Sequence, residues 1–396
     1  MTASSHRDPD PGIVPVEAPT PAAKATAGAE RTVRLALSCV IEGGEPAVAE
    51  VTTISGAAAA WQQVSDGGFG EGLAERAAQL DLDRVLARAA RSRSRFVVPG
   101  DEEWPERLGD LRFCDEVQRR GGVPFGLWLR GPGHLGQLAE RSVSIVGSRT
   151  ATPYGTTVAT DLGAELAEVG FTIVSGGAYG IDTAAHQGAL AAAGPTIAVV
   201  ANGVDVAYPQ GNRKLFDWVG EHGLIISELA PGTHPSRVRF LARNRLIAAM
   251  SVGTVVVEAA LRSGARNTAS WALGCGRVLM AVPGSVESAM SAAPHLMIRN
   301  GQAVLVANAA EVLELVSESG QATLPIPHGP VRETDALDPV RLSVYEAVPA
   351  RRRVGAGEIA LAAGVSVPTA LAQLSALEDV GLVVSDDVGW RAVVRH

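Results

Sequence analysis

The sequence predicts an α/β core, a parallel sheet covered by helices on both faces. Seven short apolar runs carry this reading, at residues 142–146, 171–174, 196–200, 224–227, 254–257, 277–282 and 303–306. Each is apolar almost throughout, as strands buried on both faces must be; a half-exposed strand would alternate. Helical stretches lie between them, among them residues 154–169, 181–193, 211–222, 241–250 and 266–274. Strand–helix alternation of this kind builds βαβ units. The first two strands also run straight into Gly/Ser turns, Gly147-Ser148-Arg149 and Ser175-Gly176-Gly177, each opening a helix. Glycine lets the backbone approach a ligand, and the helix behind it presents free N–H groups and a positive dipole end. Two such corners at the carboxyl ends of parallel strands predict a crevice for a phosphate-bearing ligand.

The flanking segments have other characters. Residues 1–30 are rich in Pro, Ala, Ser and Thr without a periodic apolar face and read as a disordered tail. Residues 31–95 are Ala/Leu-rich with helical spacing, a small helical domain of the SAM or helix-hairpin-helix kind. The core with its lead-in takes residues 96–317. The lead-in reads as a connector that packs on the core through Trp104 and Trp128. Residues 318–336 form a Pro/Gly/Ser linker. Residues 337–396 hold three short helices and a hairpin, with helix-turn-helix spacing in "AAGVSVPTA", and predict a winged helix. Its recognition helix, residues 366–380, carries Glu378 and Asp379 and no Lys or Arg. A duplex reader needs positive charge there, so this module is expected to be a protein-contact or regulatory module and not a duplex reader.

Bulk properties narrow the function. The net charge is −8, which excludes a globally basic nucleic-acid coat, and local clusters matter more. Cys39, Cys114 and Cys275 are widely spaced and odd in number, against a disulfide framework or a Cys-type zinc site. No Arg/Lys-led apolar leader opens the chain and no run of about 18 apolar residues occurs, so a soluble, cytoplasmic protein is expected.

The basic residues gather where strands should end. Arg149 follows the first strand, either meeting a phosphate oxygen or pairing with a carboxylate. Ser148 and Ser175 are turn residues or hydroxyl donors. Asp182 reads as an N-cap and His186 as a structural histidine, whereas Tyr179 either stacks a base or covers the loop. Asn212, Arg213 and Lys214 sit in a helix's first turn, where cations oppose the dipole. Arg237, Arg239, Arg243 and Arg245 fall within nine residues free of acids, and Arg243-Asn244-Arg245 are read as a helix start. Arg262 and Arg266 follow the fifth strand. Together these point to an anion-binding surface. Catalysis has little support: no Cys/His pair, nucleophile elbow, H-E-x-x-H, P-loop or G-x-G-x-x-G occurs. Glu228 and Glu258, each just past a strand, could each be a base but are read first as arginine partners.

Seven ordered blocks, from "SIVGSRTATPYG" and "VSGGAYGIDTAAH" through "GVDVAYPQGNRKLF" and "FLARNRLIAAMS" to "AVPGSVESAMSAAPHLMIRNGQAVLV", resemble the DNA-processing protein A (DprA/Smf) family over nearly all of residues 142–306. The resemblance implies an extended Rossmann-like core that binds single-stranded DNA, protects incoming DNA and loads RecA recombinase in natural transformation. It also implies a homodimer and no enzymatic step; no cofactor and no membrane association are expected. Carried over by motif, the DNA pocket takes Gly147, Ser148, Arg149, Ser175, Gly176, Asn212, Lys214, Arg243 and Arg245. Tyr179 stands where the family commonly has Arg, and Arg266 adds charge beside Arg262. Two other readings compete: a nucleotide-binding enzyme of the lysine-decarboxylase-like phosphoribohydrolase type, whose P-G-G-x-G-T-x-x-E segment is absent here, and a regulator built around the winged helix.

Overall fold

The computed structural model describes residues 21–317 and 333–393. The chain divides between Leu324 and Pro325 into two compact units.

The first unit opens with five helices: α1 Pro21–Val40, α2 Pro46–Ser55, α3 Ala57–Ser65, α4 Glu71–Ala78 and α5 Leu82–Arg91. α1 begins inside the expected disordered tail, which corrects that expectation from Pro21 onward. Its first turns are alanine-rich and begin on proline, a composition that favours helix without an apolar face. Residues 1–20 lie outside the described residues, as do residues 318–332 of the expected linker. Leu37, Val48, Ala57 and Val64 form a fully buried core among these helices.

The lead-in is more than a connector. It supplies β1 Ser94–Val97 and β2 Leu127–Arg130, which extend the sheet: β2 pairs antiparallel with β6, and β1 antiparallel with β2. Trp104 and Trp128 are buried as expected, and Trp128 packs on Phe96 with ring centroids 4.8 Å apart. The seven expected strands all form: β3 Ser142–Val146, β4 Thr172–Ser175, β5 Thr196–Val199, β6 Leu224–Ser227, β7 Gly253–Val256, β8 Val278–Ala281 and β9 Val304–Leu305. They pair in parallel within a nine-stranded sheet of order β1-β2-β6-β5-β4-β3-β7-β8-β9.

Between them run α6 Leu135–Glu140, α7 Pro153–Glu168, α8 Ile181–Ala191, α9 Arg213–His222, α10 Arg237–Met250, α11 Ala265–Gly274, α12 Ala292–Arg299 and α13 Ala309–Val316. Alternate strand residues face opposite layers. Val143, Ile145 and Ile173 pack with Leu162, Ala185 and Val312, whereas Val146, Val174 and Val256 pack with Ile247, Ala269 and Trp271. Each fully buried branched side chain contributes about 1.5–3 kcal/mol, so both layers stabilise the sheet.

Strand order places the site. From β3 the chain steps outward to β4, β5 and β6, then returns to lay β7 on the other side of β3. The β3/β7 boundary is therefore a topological switch point, where ligands bind at strand carboxyl ends.

The second unit holds α14 Pro339–Ala347, α15 Ala356–Ala363, α16 Val367–Asp379 and a hairpin of β10 Val383–Asp386 with β11 Gly389–Ala392. The axes of α15 and α16 meet at 103°. Gly364, in the left-handed region at φ 67°, ends α15, and Ser366 caps α16 by accepting from the Thr369 N–H. Val344, Ile359, Leu374 and Val383 form the unit's own core. Among the described residues no single helix is long and apolar enough to cross a membrane.

Candidate functional site

A crevice of about 1180 Å³ lies over the β3/β7 switch point. It is larger than the roughly 300–1,000 Å³ of ordinary small-molecule pockets. Five arginines line it, Arg149, Arg237, Arg243, Arg262 and Arg266, against one carboxylate, Asp182.

The walls are built by close backbone packing. A Cβ on Gly147 would meet Ile181 and the Glu258 carbonyl, so only glycine fits the first turn. The Ser148 N–H donates to the Glu258 carbonyl at 2.6 Å and ties the turn to the segment after β7. The Ser148 carbonyl accepts from the Ile181 N–H at 3.1 Å. Gly180, at φ 79°, starts α8 against the Ser148 carbonyl, where a side chain has no room. The Ser148 hydroxyl accepts from the Thr150 N–H at 3.1 Å, so it shapes the turn.

The helix N-termini expected to await a phosphate already hold carboxylates. Glu258 accepts from the Thr152 N–H at 2.9 Å and from its hydroxyl at 2.6 Å, at the start of α7. It was expected to pair with an arginine; the helix start takes it instead. Asp182, one residue inside α8 rather than at its N-cap, accepts from Gly176 and Ala178 N–H groups at 3.2 and 3.4 Å. Burial pushes its carboxyl pKa up, and Arg243 and the two N–H groups oppose that shift. The start of α11 differs: Gly264 caps it with no side-chain acceptor of its own, and Gly264, Ala265 and Arg266 line the crevice. Positive potential therefore comes from arginines and α11, and not from the first two helices.

Those arginines have no carboxylate partner. None of the five is within salt-bridge distance of a carboxylate among the described residues, while Arg95, Arg239 and Arg277 elsewhere in this unit each have one. Arg149 is exposed and lies over the Phe240 ring, 4.8 Å from its centroid. Phe240 in turn packs on Tyr208, with centroids 5.6 Å apart. The sequence reading missed this aromatic pair. The signal was present in "YPQGN" and "RFLARNR", but linking them needs the fold. Arg266 donates to the Leu261 carbonyl at 2.7 Å, which orients its guanidinium beside Arg262. Arg243 is nearly buried and donates to the Gly176 carbonyl at 2.7 Å and to that of Val199. Burial lowers its pKa to about 10, with Asp182 opposing, so it is a cation at neutral pH in the crevice floor.

This geometry, an arginine-rich crevice at the switch point of an α/β sheet, sets the comparison with known proteins. The family model described as DNA recombination-mediator protein A matches residues 95–317. A Mycobacterium tuberculosis relative bearing the DprA name is 41% identical over 362 residues, covering 90% of this chain and 92% of its own. The chain belongs to the DNA recombination-mediator protein A (DprA/Smf) family. The X-ray structure of DNA processing protein A from Streptococcus pneumoniae superposes with TM-score 0.59 at 30% identity, covering 73% of this chain and 98% of that one. A Helicobacter pylori DNA processing protein A, solved for its single-stranded DNA binding mode, aligns at TM-score 0.48 and 28% identity, covering 56% and 94%.

Of the residues expected at the DprA pocket, Gly147, Ser148, Arg149, Arg243, Arg262 and Arg266 line the crevice and six others do not. Three of the six are structural, a correction of the motif reading. Ser175 is fully buried and donates to the Ile145 carbonyl at 2.6 Å. Asn212 is buried and donates to the Gly177 carbonyl and the Thr183 hydroxyl at 3.0 and 2.7 Å. Arg245 is fully buried in a two-pronged pair with Glu228, at 2.8 and 2.5 Å. The reason is the start of α10, at Arg237 after the Ser236 cap. That start puts Arg245 in a stretch buried on all sides. Gly176 backs onto Arg243, where a Cβ would collide with the guanidinium. Tyr179 is half-exposed with its hydroxyl against Gly211, and Lys214 is exposed on α9.

His186 on α8 is structural, as expected. It is fully buried, with Nδ1 2.7 Å from the Thr196 hydroxyl. That hydroxyl donates to the Ile173 carbonyl, so it accepts from Nδ1–H. Nε2 has no partner. Burial, aided by Arg243, lowers its pKa from 6.5 to about 3. The unfolded chain therefore takes up this proton first. The stability from neutral His186 is complete above pH 6.5 and is lost as pH falls towards 3. Each unit in that window costs about 1.4 kcal/mol. Denaturant unfolding at pH 7 and pH 5 should show about 2 kcal/mol more acid loss in wild type than in His186→Gln. Equal losses would exclude His186; the comparison cancels Asp182, whose raised pKa acts with the opposite sign.

Proposed function

We propose that the crevice is a track for single-stranded DNA and that the chain acts in DNA processing. The observation that supports this is the set of unpaired arginines beside an aromatic platform. Arg149, Arg237, Arg262 and Arg266 follow a phosphate backbone, with the Gly147-Ser148 turn and the α11 start beside them. Phe240 and Tyr208 offer faces on which bases stack, an interaction worth about 1–3 kcal/mol per base and indifferent to sequence. A duplex hides its base faces, so stacking favours single strands. Family membership supports the wider role: protecting incoming strands, acting as a homodimer and delivering DNA to RecA recombinase. No catalytic step is assigned.

Fluorescence anisotropy of labelled oligo-dT across a salt series tests this. Binding that weakens steeply with salt, and exceeds that of a matched duplex, is expected. No binding at low salt, together with release of free base from AMP, would move the reading to a phosphoribohydrolase.

The second unit is proposed to contact protein. Its α16 exposes Val367 and Leu371, and α15 exposes Leu361 at 84%. Arg352 and Arg353 are occupied by Glu358 and Asp386 at 2.6 and 2.7 Å. A gel shift of duplex DNA by residues 337–396 alone would overturn that assignment.

A further inference from the structure

Two of the three cysteines do not stay apart. Cys114 and Cys275, 161 residues apart in sequence, bring their sulfurs to 2.9 Å as free thiols. Cys114 ends the lead-in's 3-10 turn Glu106–Phe113, and Cys275 ends α11. A disulfide has a sulfur separation of about 2.05 Å, so closure needs a movement of under about 1 Å.

The two elements are held in register independently of the sulfurs. Arg277 donates to the Asp110 carboxylate at 2.6 Å, to the Arg107 carbonyl at 3.1 Å and to the Cys275 carbonyl at 3.0 Å. The thiols are unequal. Cys275 is buried, which pushes its pKa up; contact with Cys114 adds to the shift and the Arg277 cation opposes it. Cys114 is half-buried and within reach of solvent. Neither lines the crevice, yet both elements build its wall: Asn267 of α11 donates to the Gln118 side chain at 3.4 Å, and both residues line it.

We propose that Cys114 and Cys275 are an oxidation-responsive dithiol that closes into an intramolecular disulfide under a hydroperoxide and staples the lead-in to α11. Cys114 gives up its proton, its sulfur attacks one oxygen of hydrogen peroxide, the O–O bond breaks, the leaving hydroxide takes that proton as water, and a sulfenic acid forms. The Cys275 sulfur then attacks the sulfenic sulfur. The S–S bond forms, the S–O bond breaks, and the Cys275 proton leaves with that oxygen as water. In total two thiols lose two electrons and two protons, and one peroxide becomes two waters.

Cys39 serves as the internal control, because burial raises its pKa to about 11. The full chain is treated with hydrogen peroxide, alkylated without reduction and mapped by mass spectrometry. The expected product is a linked peptide pair holding Cys114 and Cys275. It is lighter by two hydrogen atoms, reversed by dithiothreitol, absent in Cys114→Ser and retained in Cys39→Ser. Amide exchange across α11 should slow in the oxidised protein. Accumulation of Cys114 sulfinate beside a free Cys275 thiol, or disulfides between chains, would overturn the proposal. The wild-type map decides this even where a variant fails to fold.

Discussion

Arg149→Ala is expected to weaken oligo-dT binding by about 10- to 100-fold, the loss of about 1.5–3 kcal/mol typical of hydrogen bonds to a charged group. The slope of log affinity against log salt should also become shallower by about 0.7, the share of one phosphate on a single strand. Two features make this arginine the sensitive one. Its guanidinium is exposed at the mouth of the crevice, within salt-bridge distance of no carboxylate among the described residues, and it lies over the Phe240 ring. Arg149→Lys should restore the salt slope but not the affinity, because an ammonium neither forks onto two phosphate oxygens nor stacks on a ring in the same way. Unfolding free energy should stay within about 0.5 kcal/mol of wild type, as for other exposed positions. Equal affinity of wild type and Arg149→Ala across the salt series would remove the residue from the track. Lost affinity with an unchanged slope would reassign it from phosphate contact to support of the Phe240 platform.

The strand runs of the core were legible because a parallel strand buried on both faces leaves a continuous apolar signature. β1 and β2 were not, since "SRFV" and "LWLR" carry arginine. Their strand character comes from an open sheet edge at β6 that no local pattern reveals. At the site, the sequence told which loops face the ligand but not which arginines are free. Arg245 and Arg149 look alike in sequence. The first pairs with Glu228, seventeen residues away, and the second forms no salt bridge among the described residues. The start of α10 was misjudged by four residues, which moved "RNR" from a buried stretch to an imagined helix opening. One signal was available. "LIAAM" continues the helix with apolar residues on every face, the mark of a helix enclosed by the fold. Glu258 was misread for a related reason: its partner is a helix N-terminus, which carries partial charge without a charged residue. The β3/β7 switch point was also hidden, because strand order is a property of the whole chain.

Glu228→Gln is expected to lower the unfolding free energy by about 3–5 kcal/mol, because it strands the Arg245 guanidinium in the interior. Arg245 is fully buried, and its other bonds, to the Gly122 and Ala242 carbonyls at 3.0 and 3.1 Å, cannot neutralise it. Those bonds identify the pair's role. Gly122 belongs to the lead-in, and the Gly43-Gly44 turn after α1 packs on Glu228 and Arg245. The ion pair thus clasps the N-terminal helices and the lead-in to α10 and the end of β6. Replacing both partners with apolar residues, as in Arg245→Met with Glu228→Leu, should recover at least half of the loss, since the desolvation cost of both charges disappears together. A full double-mutant cycle in urea measures the coupling, and a coupling near zero would sink the assignment. The same variants separate architecture from recognition. Measured at a temperature where all remain folded, they should bind oligo-dT as wild type does, in contrast to Arg149→Ala. If the stable double variant lost binding as Arg149→Ala does, Arg245 would belong to the track after all, and the buried pair would have to open when DNA arrives.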